Sequence, residues 1–335
     1  MDNQRSSCAT YIRGGAGIMK SKTYIAIGGI VVVLIAIIAI VALGGPHSNA
    51  VVTPSNSFAS NSSQKIQIVA AENFWGSLVS QIGGTHVQVL SIVSDPNADP
   101  HEYESNTENA RAFATADYIV VNGAGYDEWA DKLISAGIKP NAKVLNVAEL
   151  IGQQNGDNPH FWYSPDYVNQ TTKQMELDLI AIDPSNANYY EQNYANLQVS
   201  LSIYQNRIGE IKQQFGGTKV AATESIFEYL ANATGLDLVS PPAFTHAVAE
   251  GNDPPANSIV QFETQLQSDN VSVLIYNQQT VTPLTDNMKK LASEQGIPVI
   301  GITETIQPPD VSFQDWMNAE LISLQNALNA KALGS

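Results

Sequence analysis

Two histidines and two glutamates, His101, His160, Glu224 and Glu304, read as ligands of one metal site assembled from four widely spaced places. His101 lies in Asp99-Pro100-His101-Glu102-Tyr103-Glu104 and His160 in Asn158-Pro159-His160-Phe161-Trp162. Glu224 closes an apolar stretch and opens Glu224-Ser225-Ile226-Phe227-Glu228-Tyr229-Leu230, and Glu304 sits in Ile302-Thr303-Glu304-Thr305-Ile306. Imidazole and carboxylate are donors that divalent first-row metals accept. No two of the four stand close enough in sequence to chelate alone, so a fold must assemble them. A carboxylate at the end of an apolar strand, as at Glu224, is costly to bury without a cation. The competing role for Glu224 is to cap the helix that follows. For Glu304 it is that of a solvated loop residue.

Composition restricts what such a site can serve. The chain has 335 residues, room for two domains with cores of their own. Asp and Glu number 32 against 16 Lys and Arg, which argues against a nucleic-acid partner. The single cysteine, Cys8, precedes the first hydrophobic segment, so no thiolate ligand and no disulfide belongs to the remainder.

The elements that must position the four residues follow in chain order. Residues 1–22 form a basic stretch in which Arg5, Arg13, Lys20 and Lys22 outweigh Asp2. Residues 23–44 read as a transmembrane signal anchor whose core, Tyr24 to Leu43, is free of charge and spans about 30 Å as a helix. Positive charge ahead of it places the N-terminus in the cytoplasm and everything after it outside. The length of the run favours an uncleaved anchor over a cleaved signal, for which Ala42 to Gly45 is the alternative cleavage region. Residues 45–64, rich in Ser, Asn, Pro and Val, read as a flexible linker. Sequons at Asn61, Asn169, Asn232 and Asn270 are compatible with an extracytoplasmic location.

From Lys65 onward strand and helix patterns alternate. Strands are expected at Ile66–Ala70, His86–Val93, Tyr118–Gly123 and Val144–Val147, and helices at Phe74–Ile82, Glu108–Ala116, Glu128–Ala136 and Pro165–Ile182. Between Pro184 and Phe215 apolar residues recur at three and four, including Tyr189, Tyr190, Tyr194, Leu197, Leu201, Tyr204, Ile208 and Ile211. A helix of that span is about 45 Å long, more than a compact domain usually holds, and suits a spine between two lobes. Alternation then resumes, with strands at Lys219–Thr223, Asp237–Val239, Val271–Tyr276 and Pro298–Ile302. Helices are expected at Ile226–Ala233, Pro254–Ser268, Leu284–Glu294 and Phe313–Leu333. The fold class is therefore α/β: a lobe over 65–183, a linking helix over 184–215 and a second lobe over 216–335. Ligands in such folds sit at the carboxyl ends of strands. His246 reads as a loop residue and Tyr103 and Trp162 as packing beside the histidines, whereas Asn277 follows a buried strand, where it could orient a ligand, a role the sequence alone does not show.

The order of features resembles the solute-binding proteins that feed zinc or manganese to ABC importers, the cluster A-I family. The resemblance covers Lys65 to Leu333. It rests on the four site motifs together with Ala116-Asp117-Tyr118-Ile119-Val120-Val121-Asn122-Gly123 and the following Trp129. It implies two α/β lobes with central sheets, joined by one long helix, with the metal in the inter-lobe cleft. His101 and His160 would come from the first lobe, Glu224 and Glu304 from the second. The family's fourth position is usually Asp, so Glu304 departs by one methylene, and the chain lacks both the lipid-bearing cysteine and the His-rich loop of many zinc members. The implied function is extracytoplasmic capture of Zn²⁺ or Mn²⁺, as transported ligand, for a permease driven by an ATPase on another chain, and no enzymatic activity. The other readings are a metal-dependent hydrolase and a surface adhesin with a structural metal. No His-Glu-X-X-His or nucleophile elbow is present to favour the hydrolase.

Overall fold

The computed structural model describes residues 65–96, 100–268 and 270–334. The basic stretch 1–22, the anchor 23–44 and the linker 45–64 lie outside the described residues. Among the described residues no helix is long and apolar enough to cross a membrane.

Two four-stranded sheets carry the molecule, and both are parallel throughout. The first holds β1 (Ile66–Glu72), β2 (Val87–Val93), β3 (Tyr118–Val121) and β4 (Lys143–Asn146) in the order β2-β1-β3-β4. The second holds β5 (Lys219–Ala222), β6 (Asp237–Leu238), β7 (Leu274–Asn277) and β8 (Val299–Ile302) in the order β6-β5-β7-β8. All four residues of β3 are buried, as expected of a parallel strand covered by helices on both faces. In each sheet the chain crosses from one side to the other between the two middle strands, β1 and β3 or β5 and β7. That crossing opens a crevice at their carboxyl ends.

The helices of the first lobe are α1 (Asn73–Gly83), α2 (Thr107–Thr115), α3 (Glu128–Ala136), α4 (Val147–Ile151) and α5 (Pro165–Ile182). Then comes α6 (Ala187–Phe215), followed by α7 (Glu228–Thr234), α8 (Pro242–Ala249), α9 (Ala256–Gln267), α10 (Pro283–Glu294) and α11 (Phe313–Gly334). With 29 residues, α6 extends roughly 43 Å. It buries Tyr190, Leu197, Leu201, Tyr204, Ile208 and Ile211, while Tyr189 and Tyr194 of the anticipated face are only partly buried. It packs on α1 and α5 of the first lobe and on α11 of the second. Asn193 donates to the Ile82 carbonyl of α1 at 3.0 Å, and Arg207 donates to Asn318 and Gln325 of α11 at 2.7 and 2.9 Å. One continuous apolar core runs from Ile66 through these α6 residues to Trp316 and Leu328.

Three local readings differ from the pattern in the sequence. The long helix starts at Ala187 because Pro184–Asn186 forms a 3₁₀ turn, with Asp183 accepting from Ser185 and Asn186. Val147 is not the end of a strand but the start of α4, whose cap Asn146 accepts the Glu149 N–H at 3.2 Å. His246 lies on helix α8 rather than a loop. Pro242 stands in the first turn of α8, where proline's missing N–H has no partner to lose.

Candidate metal centre

In the first lobe, His101 sits on a short 3₁₀ turn, Pro100–Glu102, beyond β2. His160 precedes the 3₁₀ turn Phe161–Tyr163, where Phe161, Trp162 and Tyr163 are all buried and anchor the segment. Trp162 stacks on Phe74 of α1 with ring centroids 4.0 Å apart. In the second lobe, Glu224 follows β5 and Glu304 follows β8, so both carboxylates leave strands at their carboxyl ends.

One donor atom from each of His101, His160 and Glu304 lies within 4.8 Å of the other two. His101 Nε2 and Glu304 Oε2 are 3.5 Å apart. Donors placed 2.0–2.2 Å from a tetrahedral ion stand roughly 3.4 Å apart, so this edge needs little adjustment to receive one. Glu224 is outside that three-residue cluster, although its side chain is buried in the same region. It makes no side-chain capping bond to the turn that follows it.

The imidazole of His160 is fixed by Asn158. The Asn158 amide nitrogen donates to the Ser225 carbonyl at 2.8 Å and to Glu228 Oε2 at 3.0 Å, so its Oδ1 is the acceptor facing His160. That oxygen is 2.6 Å from His160 Nδ1, which must therefore carry the proton and leave the Nε2 lone pair for a metal. His160 is wholly buried, and among the described residues its Nε2 has no hydrogen-bond partner. Burial, and after it the nearby His101 and His246, hold this imidazole well below the ordinary histidine range. It is thus neutral, the state that binds metal.

Glu304 is held on both oxygens. Oε2 accepts the Tyr126 hydroxyl at 2.6 Å and Oε1 accepts the Asn277 amide at 2.5 Å. The same amide nitrogen is 2.7 Å from Glu224 Oε1. Gln279 Oε1 accepts the backbone N–H groups of Glu304 and Thr305 at 2.8 and 3.0 Å. Below them Glu320 accepts the Thr303 N–H at 2.9 Å and the Trp316 indole at 3.0 Å, and burial pushes its carboxyl up to about 7.

Tyr126 reaches Glu304 from a turn with positive φ at three successive residues, Gly123, Ala124 and Gly125. The Asp127 carboxylate closes that turn by accepting the N–H groups of Asn122 and Gly123 at 2.6 and 2.8 Å. A side chain at Gly123 would also collide with Asn146 and Ala148, which leaves glycine as the residue that fits.

A model of the family described as zinc-uptake complex component A, periplasmic (ZnuA), matches residues 68–327. The chain belongs to the ZnuA family. It is 27% identical over 228 residues to the manganese ABC transporter substrate-binding lipoprotein PsaA of Streptococcus anginosus, covering 63% of this chain and 69% of that protein. It is 26% identical over 262 residues to the metal ABC transporter substrate-binding lipoprotein FimA of Streptococcus parasanguinis, covering 73% and 82%. The periplasmic zinc-binding protein TroA of Treponema pallidum has the same fold, with a TM-score of 0.68 at 14% identity, over 79% of this chain and 99% of that one. The two α/β lobes and the long helix are therefore those of ZnuA-type proteins.

Sequence reasoning missed Tyr126, Asn158, Gln279 and Glu320 as supports of the site. Asn158 was within reach, two residues before His160 in the same motif. The other three carry no local signal, because the site segments they hold lie 178, 25 and 17 residues away in sequence.

Proposed function

We propose that this chain is the extracytoplasmic substrate-binding protein of an ABC importer, capturing Zn²⁺ or Mn²⁺ and handing it to a membrane permease driven by a separate ATPase. It acts by binding and release, not by catalysis. The observation that carries this reading is the convergence of His101, His160 and Glu304, with the buried His160 held by Asn158 in the tautomer that leaves Nε2 to the metal. Glu224 is the fourth ligand, linked to Glu304 through the Asn277 amide. A helix over residues 23–44 anchors the protein, 45–64 is the tether, and the lobes 65–183 and 216–335 close on the ion about the helix 184–215.

Elemental analysis of the full-length protein, purified in detergent and incubated with Zn²⁺ or Mn²⁺, tests the function. One equivalent of bound metal is expected; protein that stays metal-free with both ions refutes it. Protease digestion of intact cells tests the topology, since the domain should be cut while the cytoplasmic N-terminus survives in the membrane.

A further inference from the structure

Asn277 ends β7 and is fully buried. Its Oδ1 accepts the Gln279 N–H at 2.9 Å, which fixes the orientation of the amide. Turned over, Oδ1 would face two carboxylates and the NH₂ would face an N–H donor. As placed, the NH₂ lies 2.7 Å from Glu224 Oε1, 2.5 Å from Glu304 Oε1 and 3.0 Å from Thr280 Oγ1. An amide nitrogen has only two hydrogens, and carboxylate acceptors hold them more strongly than a hydroxyl does. One neutral group thus grips one oxygen of each carboxylate.

We propose that Asn277 is a specificity-determining positioning residue that limits Glu224 and Glu304 to one donor oxygen each, and so favours a four-coordinate ion over one that takes six ligands. This rests on the reading of both glutamates as metal ligands. A carboxylate raises the coordination number of a site by turning both oxygens to the ion. Here the inner oxygens would first have to leave the amide. The backbone of Glu304 cannot swing to compensate, because Gln279 Oε1 holds its N–H and that of Thr305. With two imidazoles and two single oxygens the site presents the tetrahedral nitrogen and oxygen set that suits Zn²⁺, whereas Mn²⁺ prefers an octahedral, oxygen-rich one. The amide also adds no charge, so two carboxylates match one divalent cation.

The test uses full-length protein. X-ray absorption at the zinc edge of the wild type should give four nitrogen or oxygen neighbours; five or six overturn the proposal, whatever any variant does. Competition between Zn²⁺ and Mn²⁺ is then compared in wild type and Asn277→Ala. The zinc-to-manganese affinity ratio should fall about tenfold in the variant, with the zinc coordination number rising. A ratio that holds while both affinities fall together assigns Asn277 a structural role only and overturns the proposal. Failure of the wild type to take up either ion would instead remove the ligand reading beneath it.

Discussion

The two lobes share one strand order but supply opposite halves of the site. The first contributes imidazoles from short turns beyond its sheet, and the second contributes carboxylates directly after β5 and β8. Their supports differ too. Glu304 and Glu224 are held mainly by groups of their own lobe, Asn277, Gln279 and, beneath the strand, Glu320. His160 depends on Asn158, whose amide is held by Ser225 and Glu228 of the second lobe, and Tyr229 of that lobe donates to the Asn158 carbonyl at 2.8 Å. The carboxylate half is therefore held mainly within its own lobe, with Tyr126 added from the first, while the Asn158 support of His160 is completed by contact between the lobes.

The largest blow to this comparison should come from His160→Ala. Removing a direct ligand should weaken Zn²⁺ binding by more than about 100-fold, beyond the range of losses typical of outer residues. Isothermal titration reads the change, and a loss below tenfold would take His160 out of the site. Next is Tyr126→Phe, which removes the first-lobe hydroxyl that grips Glu304 at 2.6 Å. A loss of about tenfold is expected; unchanged affinity would mean that the carboxylate half needs nothing from the first lobe.

A smaller effect is expected from Glu224→His, which exchanges an oxygen donor for a nitrogen. Zn²⁺ lies above Mn²⁺ in intrinsic affinity at nitrogen and oxygen sites, and the variant should widen zinc's lead by about several-fold. Titration of both ions decides it, and an unaltered ratio would leave Glu224 outside the ligand set, where it stands relative to the three-residue cluster.

The smallest effect on metal binding is expected from Glu320→Gln, which probes the support beneath the carboxylates. The Tyr163 hydroxyl lies 2.8 Å from the Thr303 carbonyl and 2.7 Å from Glu320 Oε2, and it has one proton for the two. A protonated Glu320 resolves this by donating to Tyr163, consistent with its carboxyl pushed up to about 7 by burial. Because the folded-state value is raised, the stability tied to this group is fully present below the unfolded value of 4.5 and is lost as pH rises through about 7. Glutamine imitates the protonated acid, so thermal melts of metal-free Glu320→Gln should decline less between pH 5 and pH 8 than those of wild type. Parallel pH profiles would show that Glu320 is ionised in the folded protein, while zinc affinity should stay close to that of wild type.

Much of this architecture was legible in the residues alone. The apolar runs at Tyr118–Val121 and Lys219–Ala222 and the three-and-four spacing from Tyr190 to Ile211 follow from burial and helical period, which are properties of neighbours in sequence. The same locality explains the misreadings. Asn146 could end a strand or cap a helix, and the segment around His246 could be a loop or α8; packing chose between them. The sequence by itself named four donors and two lobes, because donor chemistry belongs to side-chain type and the alternation of strands and helices to local pattern. It could not determine that Tyr126 meets Glu304 across 178 residues, that Asn158 sets the His160 tautomer from between the lobes, or that Asn277 links Glu224 to Glu304. Those bonds depend on where loops from separate strands end in space, and only the packed tertiary structure decides that.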